Sequence, residues 1–102
     1  MTPEVWAAVY RRDRRCVRCG GEGWQVHHRK LRAQGGDDSL PNAILMCRAC
    51  HDTVHSERAV VGEPGGFIVP SWNNPEGVAV EYHGRGWVWL TSAGGLEGLG
   101  SE

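Results

Sequence analysis

Two cysteine pairs with the same spacing constrain this chain more than any other feature. They are Cys16-x2-Cys19 and Cys47-x2-Cys50. A chain of 102 residues and 11.2 kDa buries only a small core, so a metal or disulfide staple is expected. Zn²⁺ prefers four thiolates in a tetrahedron, and each Cys-x2-Cys turn delivers two of them. We therefore predict one structural zinc on all four cysteines.

The four cysteines could instead form two disulfides. The gap between the two pairs is longer than in the usual zinc ribbon, so the spacing alone does not exclude this alternative. The compartment argues against disulfides. The N-terminus lacks a charged-then-apolar signal pattern because Arg11 and Arg12 interrupt it early, and no run of 18 apolar residues exists. We therefore predict a cytoplasmic protein without a membrane span, and thiols in the cytosol stay reduced.

The hydrophobic pattern predicts an α+β chain with an N-terminal helix and a C-terminal β-hairpin. The expected elements are a helix from Thr2 to about Arg15, strands over 24–28 and 42–46, a helix over 48–58, and hairpin strands over 78–82 and 87–90. A glycine-rich linker is expected over 62–66, and the last ten residues are expected to fray. The tryptophans at positions 72, 87 and 89 are expected in the core.

The charge is distributed unevenly along the chain. Residues 1–58 hold ten Lys and Arg against seven Asp and Glu, whereas residues 59–102 hold one Arg against five Glu. A basic first half points to an anionic partner, and phosphate contacts position DNA without reading its sequence. Each cation alone would be a solvated side chain, but their clustering favours nucleic acid. The candidate DNA contacts are Arg11, Arg12, Arg14, Arg15, Arg29, Lys30 and Arg32.

Four of the five histidines lie between the first cysteine pair and residue 55. His51 and His55 are four residues apart, so they share one face of the predicted helix. A third histidine from the end of the first strand would complete a three-ligand site with room for water and substrate. Neighbouring strand residues point to opposite faces, so His27 and His28 should differ in role. One would bind metal and the other would serve as general base. His83 is interpreted as a surface residue.

The segment from His51 to His55 also invites comparison with the metalloprotease pattern His-Glu-x-x-His. Here Asp52 replaces the glutamate and is one methylene shorter. It would lie too far from a water on the metal. A cysteine pair directly before the helix is also foreign to that pattern, so we set this interpretation aside.

Taken together, these motifs resemble the HNH endonucleases, whose ββα-metal core is also called the His-Me finger. The letters of the family name fall on His28, Asn42 and His51. The resemblance covers about residues 16–55 and includes the following motifs: both cysteine pairs, His27-His28, Gly35-Gly36-Asp37, Asn42, His51 and His55. The small form with a four-cysteine zinc is similar to HNH proteins of bacteriophages and prophages, which are often encoded beside packaging genes.

The resemblance implies a role for each matching residue. His28 would be the general base, and His27, His51 and His55 would bind one catalytic divalent metal. The side-chain amide of Asn42 would bridge loop backbone groups and orient the base. Many relatives have Asp where this chain has His27, so the metal is open among Mg²⁺, Mn²⁺, Ni²⁺ and Zn²⁺. Nitrogen ligands favour the last three.

The expected function is metal-dependent hydrolysis of DNA, with packaging proteins such as terminase as further partners. Nicking and double-strand cleavage both agree with the sequence, as do a monomer and a dimer. The rival hypothesis is a non-catalytic zinc ribbon that binds nucleic acid or protein and has no use for His28. We predict a nuclease core over residues 1–60 and a linker with a hairpin appendage over 61–102.

Overall fold

An N-terminal helix opens the fold. The computed structural model describes residues 2–60 and 64–98. Helix α1 (Pro3–Asp13) begins at Thr2, whose hydroxyl oxygen accepts a hydrogen bond from the Val5 amide at 3.3 Å, with proline in the first turn. Such capping satisfies an amide that the helix itself leaves unpaired. Val9 is buried and attaches α1 to the strand beneath it.

Two short antiparallel strands form the centre of the N-terminal half. Strand β1 (Gln25–His28) pairs with β2 (Ala43–Met46), and His27 lies opposite Ile44. Every residue of β2 is buried, because its two faces pack into different hydrophobic clusters. Helix α2 (Arg48–Val60) follows β2 after one residue. The structure therefore has the ββα order, and the predicted α+β class is confirmed.

The loop between the two strands is tight because two glycines allow a close backbone approach. It contains 3-10 turns over Arg32–Gln34 and Leu40–Asn42. Gly35 adopts a φ of +91°, which favours glycine. A β-carbon on Gly36 would overlap the backbone carbonyl of Lys30. The glycine pair is therefore required for the loop to return to β2.

The C-terminal half is a three-stranded antiparallel sheet, preceded by a 3-10 turn over Pro75–Gly77. Its order is β3 (Val80–Tyr82), β4 (Gly86–Leu90) and β5 (Leu96–Gly98). The sequence predicted the first two strands as a hairpin and expected the last ten residues to fray. The expected fraying was wrong for residues 96–98, which form a strand paired with β4. The glycine-rich sequence does not predict this strand, because backbone pairing rather than a side-chain pattern forms it.

The tryptophans of the C-terminal half are exposed, which contradicts the prediction that they fill the core. Trp87 and Trp89 alternate along β4 with Val88 and Leu90, and the aliphatic pair occupies the inward face. Trp72 is 82% exposed in the segment before the sheet. Since strand side chains alternate between faces, only one of the two sets could be buried.

One hydrophobic cluster joins the two halves of the chain. It contains Ile44 and Val54 from the ββα part together with Phe67, Val80 and Leu90 from the C-terminal part. Residues 62–63 of the predicted linker, together with residue 61 before it, lie outside the described residues. The division into a core over 1–60 and an appendage over 61–102 stays a prediction about sequence organisation. None of the described helices is long and apolar enough to span a membrane.

A fully buried arginine fastens the C-terminal segment to the end of β1. The Arg29 guanidinium donates to the carbonyls of Pro41 at 2.9 Å, Gly66 at 2.9 Å, Pro75 at 3.0 Å and Val78 at 2.7 Å. Its backbone carbonyl accepts from the Val69 amide at 2.8 Å. Arg29 was a candidate DNA contact, but its guanidinium is enclosed by protein carbonyls and does not reach a phosphate. That prediction was wrong.

Replacing this arginine should destabilise the fold strongly. In Arg29→Met the buried carbonyls lose their donor, and each unsatisfied group costs about 1–3 kcal/mol. We expect the free energy of unfolding of the zinc-loaded protein to fall by about 3 kcal/mol or more, measured by urea denaturation. The matched control is Arg85→Met, because Arg85 is exposed and its loss should change stability by about 0.5 kcal/mol or less. Equal midpoints for the two variants would contradict the assignment.

Candidate metal centres

The four cysteines meet in one cluster. Their sulfur atoms all lie within 4.8 Å of one another, and none of them forms a disulfide. The Cys19 and Cys47 sulfurs are 3.7 Å apart. Tetrahedral zinc with Zn–S bonds of about 2.3 Å requires sulfurs about 3.8 Å apart, so the cluster fits that ion. The amides of Gly21 and Cys50 donate to sulfurs at 3.3 and 3.4 Å, which favours thiolates.

Strand pairing brings the two cysteine pairs together. The first pair precedes β1 and the second follows β2, and the Val17 amide donates to the Leu45 carbonyl at 2.9 Å. In the first knuckle, the Gly20 amide donates to the Cys16 carbonyl at 2.9 Å. His83, from the turn between β3 and β4, is exposed as predicted, and its amide donates to the Val17 carbonyl at 2.7 Å.

Three histidines form a second cluster between β1 and α2. The ring centroids of His51 and His55 are 4.5 Å apart, and His27 lies 5.1 and 5.3 Å from them. Their ligand atoms all lie within 4.8 Å of one another, and the Nε2 atoms of His51 and His55 are 3.2 Å apart. Two nitrogens on one ion at about 2.0–2.1 Å would be separated by about 3 Å, so the cluster fits a divalent metal.

His27 is buried and is held in one tautomer by the C-terminal segment. Its Nε2 donates to the Phe67 carbonyl at 2.7 Å, because a carbonyl can only accept. The lone pair is then on Nδ1. Burial, with added repulsion from His51 and His55, lowers the pKa of His27 to about 3. The ring therefore stays neutral at physiological pH, as a metal ligand must.

The amide of Gln25 also contacts the histidine cluster, which the sequence analysis missed. Its Nε2 lies 3.2 Å from His51 Nε2. Gln25 is two residues before His27, so both side chains lie on the face of β1 that meets α2. The period-two pattern of the strand would have identified it.

His28 lies at the end of β1 and contacts a carboxylate instead of the other imidazoles. Its Nε2 donates to Asp38 Oδ1 at 2.8 Å, and Arg32 donates to the same oxygen at 2.6 Å. The hydrogen bond from His28, followed by that from Arg32, lowers the pKa of Asp38 to about 2. The carboxylate is thus ionised and only accepts, which leaves the lone pair of His28 on Nδ1. Asp38 was not among the predicted site residues, since only the folded loop places it beside His28.

Asn42 is fully buried and joins both ends of the interstrand loop. Its Oδ1 accepts from the Lys30 amide at 2.6 Å, and its Nδ2 donates to the carbonyls of Lys30 at 3.1 Å and Asp37 at 2.8 Å. The backbone carbonyl of Asn42 also accepts from the Arg29 amide at 2.8 Å. These bonds fix the chain immediately after His28, which is the geometry that an orienting role requires.

The candidate DNA contacts separate into buried and accessible side chains. The Arg12 side chain is 4% exposed; it pairs with Asp13 at 2.7 Å and donates to the carbonyls of Leu40 and Ala43. Like Arg29, it supports the fold and is not available to DNA, so that prediction was wrong too. Lys30 donates to the Asn73 carbonyl at 3.0 Å. The exposed candidates are Arg11, Arg14, Arg15 and Arg32.

The segment that holds both clusters matches a known family model. Residues 16–57 match the model described as HNH endonuclease, which confirms the resemblance over that part of the chain. Comparisons with curated proteins and with solved structures gave no significant match. The family match covers the four cysteines, strands β1 and β2 and the histidines of α2.

Removing the structural zinc should unfold the protein, because ligand binding at such a site contributes directly to the folding free energy. We expect elemental analysis to find one zinc bound by the four cysteines. This zinc should remain in the double variant His51→Ala/His55→Ala, which lacks two residues of the histidine cluster. Cys16→Ser should lose this zinc together with the helical circular dichroism signal. A chain that stays folded after zinc extraction, or two disulfides in the mass spectrum of the purified protein, would contradict the assignment.

Proposed function

We propose that this chain is a metal-dependent HNH DNA endonuclease that hydrolyses phosphodiester bonds. The observation that carries the proposal is the three-histidine cluster, whose member His27 is followed directly by an imidazole held by a carboxylate, within the segment that matches the family model. A non-catalytic zinc ribbon needs the four cysteines alone. It would have no use for three more ligands or for the His28–Asp38 pair.

The donor set indicates which metals the second site would hold. His27, His51 and His55 offer nitrogen atoms only, which suits Mn²⁺, Ni²⁺ or Zn²⁺ better than the oxygen-preferring Mg²⁺. When bound, such an ion would supply positive charge that stabilises the developing negative charge on the phosphate oxygens. The Phe67 carbonyl fixes His27 in the tautomer that this role requires.

His28 supplies the base in this proposal. With its Nε2 proton donated to Asp38, Nδ1 accepts the proton of the attacking water, and Asp38 then stabilises the imidazolium. Asn42 holds the backbone after His28 in place through its contacts with Lys30. The family resemblance implies products with a 5′-phosphate and a 3′-hydroxyl.

Accessible cations, of which all but the half-buried Lys30 are exposed, would hold the DNA backbone in this proposal. Arg11, Arg14 and Arg15 lie at the C-terminal end of α1, and Lys30 and Arg32 lie in the loop after His28. Such contacts position DNA independently of its sequence. The resemblance supports a phage or prophage setting, with activity in the host cytoplasm and packaging proteins as partners. The unbridged cysteines agree with a reducing compartment.

The variant His28→Ala tests the base directly. Removing a general base lowers the rate by about 100- to 10,000-fold, and a base that is not a ligand leaves both metal sites intact. We expect the variant to lose nicking of supercoiled plasmid across a panel of Mg²⁺, Mn²⁺, Ni²⁺ and Zn²⁺, while its metal affinities by calorimetry match the wild type. His51→Ala should instead lose the second metal, and His83→Ala should behave as wild type. Loss of metal in His28→Ala would show that His28 is a ligand.

Asp38→Ala tests the orientation of the base. Removing a partner that orients an active-site histidine typically costs about 10- to 100-fold. We expect kcat to fall by that factor at saturating metal and DNA, with metal affinity unchanged, because Asp38 contacts the base and not the metal ligands. Glu97→Ala, on the exposed face of β5, is the control. An unchanged kcat in Asp38→Ala would remove this carboxylate from the mechanism.

A further inference from the structure

An exposed indole lies at the edge of the three-histidine cluster. Trp24 immediately precedes β1, and its amide donates to the Met46 carbonyl at 2.9 Å, so its backbone is fixed by the sheet. Its ring contacts His51 edge-on at a centroid distance of 6.4 Å, yet Trp24 remains 49% exposed. A large apolar ring is thus available to solvent beside the proposed metal ligands.

A guanidinium lies against this indole. Arg48 is the first residue of α2, one turn before His51, and its guanidinium carbon is 5.3 Å from the centroid of the Trp24 ring. This is a cation–π contact. Among the side chains that the structure describes, none of the acidic ones forms an ion pair with Arg48. We call these two residues the tryptophan–arginine pair.

The chemistry of the pair matches one kind of ligand. Aromatic rings and guanidinium planes stack on nucleobases, and a guanidinium also binds phosphate. The exposed Trp87 has a different setting, because the acidic Glu81 lies opposite it across the sheet and would repel phosphate. Unlike Trp87, Trp24 thus combines an exposed ring, an adjacent guanidinium and contact with a proposed metal ligand.

We propose that the tryptophan–arginine pair binds an unpaired nucleotide, so that the preferred substrate is DNA with single-stranded character at the cleavage position. Within a duplex, each base is covered on both faces by its neighbours and cannot stack on a side chain. An unstacked base can do so while its phosphate reaches Arg48 and the metal site. This inference rests on the proposed nuclease function and specifies its substrate class.

Binding measurements test the pair without requiring cleavage. Fluorescence anisotropy of the zinc-loaded protein would compare a labelled single strand of about 20 nucleotides with the duplex of the same sequence. We expect the single strand to bind about 10-fold more tightly, and Trp24→Ala to weaken that binding about 10-fold while changing duplex binding less than about twofold. Trp24→Phe should retain the preference. Trp87→Ala is the matched control, because Trp87 is 43% exposed.

The outcomes separate this inference from the nuclease proposal. Equal loss of single-strand and duplex binding in Trp24→Ala would overturn the inference. Greater loss of duplex binding would also overturn it, because that result would indicate a side chain inserted as a wedge between paired bases. A fall in Mn²⁺ affinity in Trp24→Ala that accounts for the whole effect would also overturn it, because the ring would then only support His51. Cleavage is compared separately on an intact duplex and on a gapped one. If the wild type cleaves neither of these two DNAs, the nuclease proposal fails, but the anisotropy measurements still decide whether the pair prefers single strands. Faster cleavage of the intact duplex than of a gapped one refutes the substrate class alone.

Discussion

The pairing of β1 with β2 is the interaction on which both metal centres depend. It places the cysteine pair before β1 beside the pair after β2, and it presents His27 to the first turns of α2. Cys50 is followed at once by His51, so the thiolate cluster anchors the start of the helix that carries two of the three histidines. The two centres are therefore mechanically linked. A structural ion at the first would restrain the orientation of the histidines at the second, which a small core achieves less well by packing alone.

The C-terminal half contributes to the site through backbone groups. The Phe67 carbonyl sets the tautomer of His27, and four carbonyls, three of them C-terminal to residue 60, enclose the guanidinium of Arg29. Arg29 follows directly after His28, so its enclosure restrains the chain that carries the proposed base. A buried cation surrounded by carbonyl dipoles is tolerated only when its donors are satisfied. The segment after residue 63 thus supports the histidines. The hydrophobic cluster that joins both halves of the chain holds that segment in place.

Local patterns predicted the parts of this fold that depend on neighbours in sequence. The cysteine spacing, the shared helix face of His51 and His55 and the alternation of His27 with His28 all follow from geometry within a few residues. Asp38 beside His28 and the Phe67 carbonyl beside His27 could not be predicted, because those contacts join distant segments and one of them uses no side chain at all. Arg29 was misassigned for a related reason. A charged residue in a basic run looks solvent-exposed until the fold shows which carbonyls surround it.

The choice of three imidazoles has an electrostatic consequence for the proposed chemistry. A carboxylate ligand would cancel part of the charge of a divalent ion, whereas neutral His27, His51 and His55 would leave both positive charges available to the phosphate. The low pKa of His27 keeps that ring neutral, since burial disfavours the imidazolium. The nearby ionised carboxylate, Asp38, is bound to His28 and Arg32, where it would stabilise the protonated base of the proposed mechanism. In the proposed mechanism, negative charge would thus lie beside the group that accepts the proton, and the metal ligands themselves would add no negative charge toward an anionic substrate.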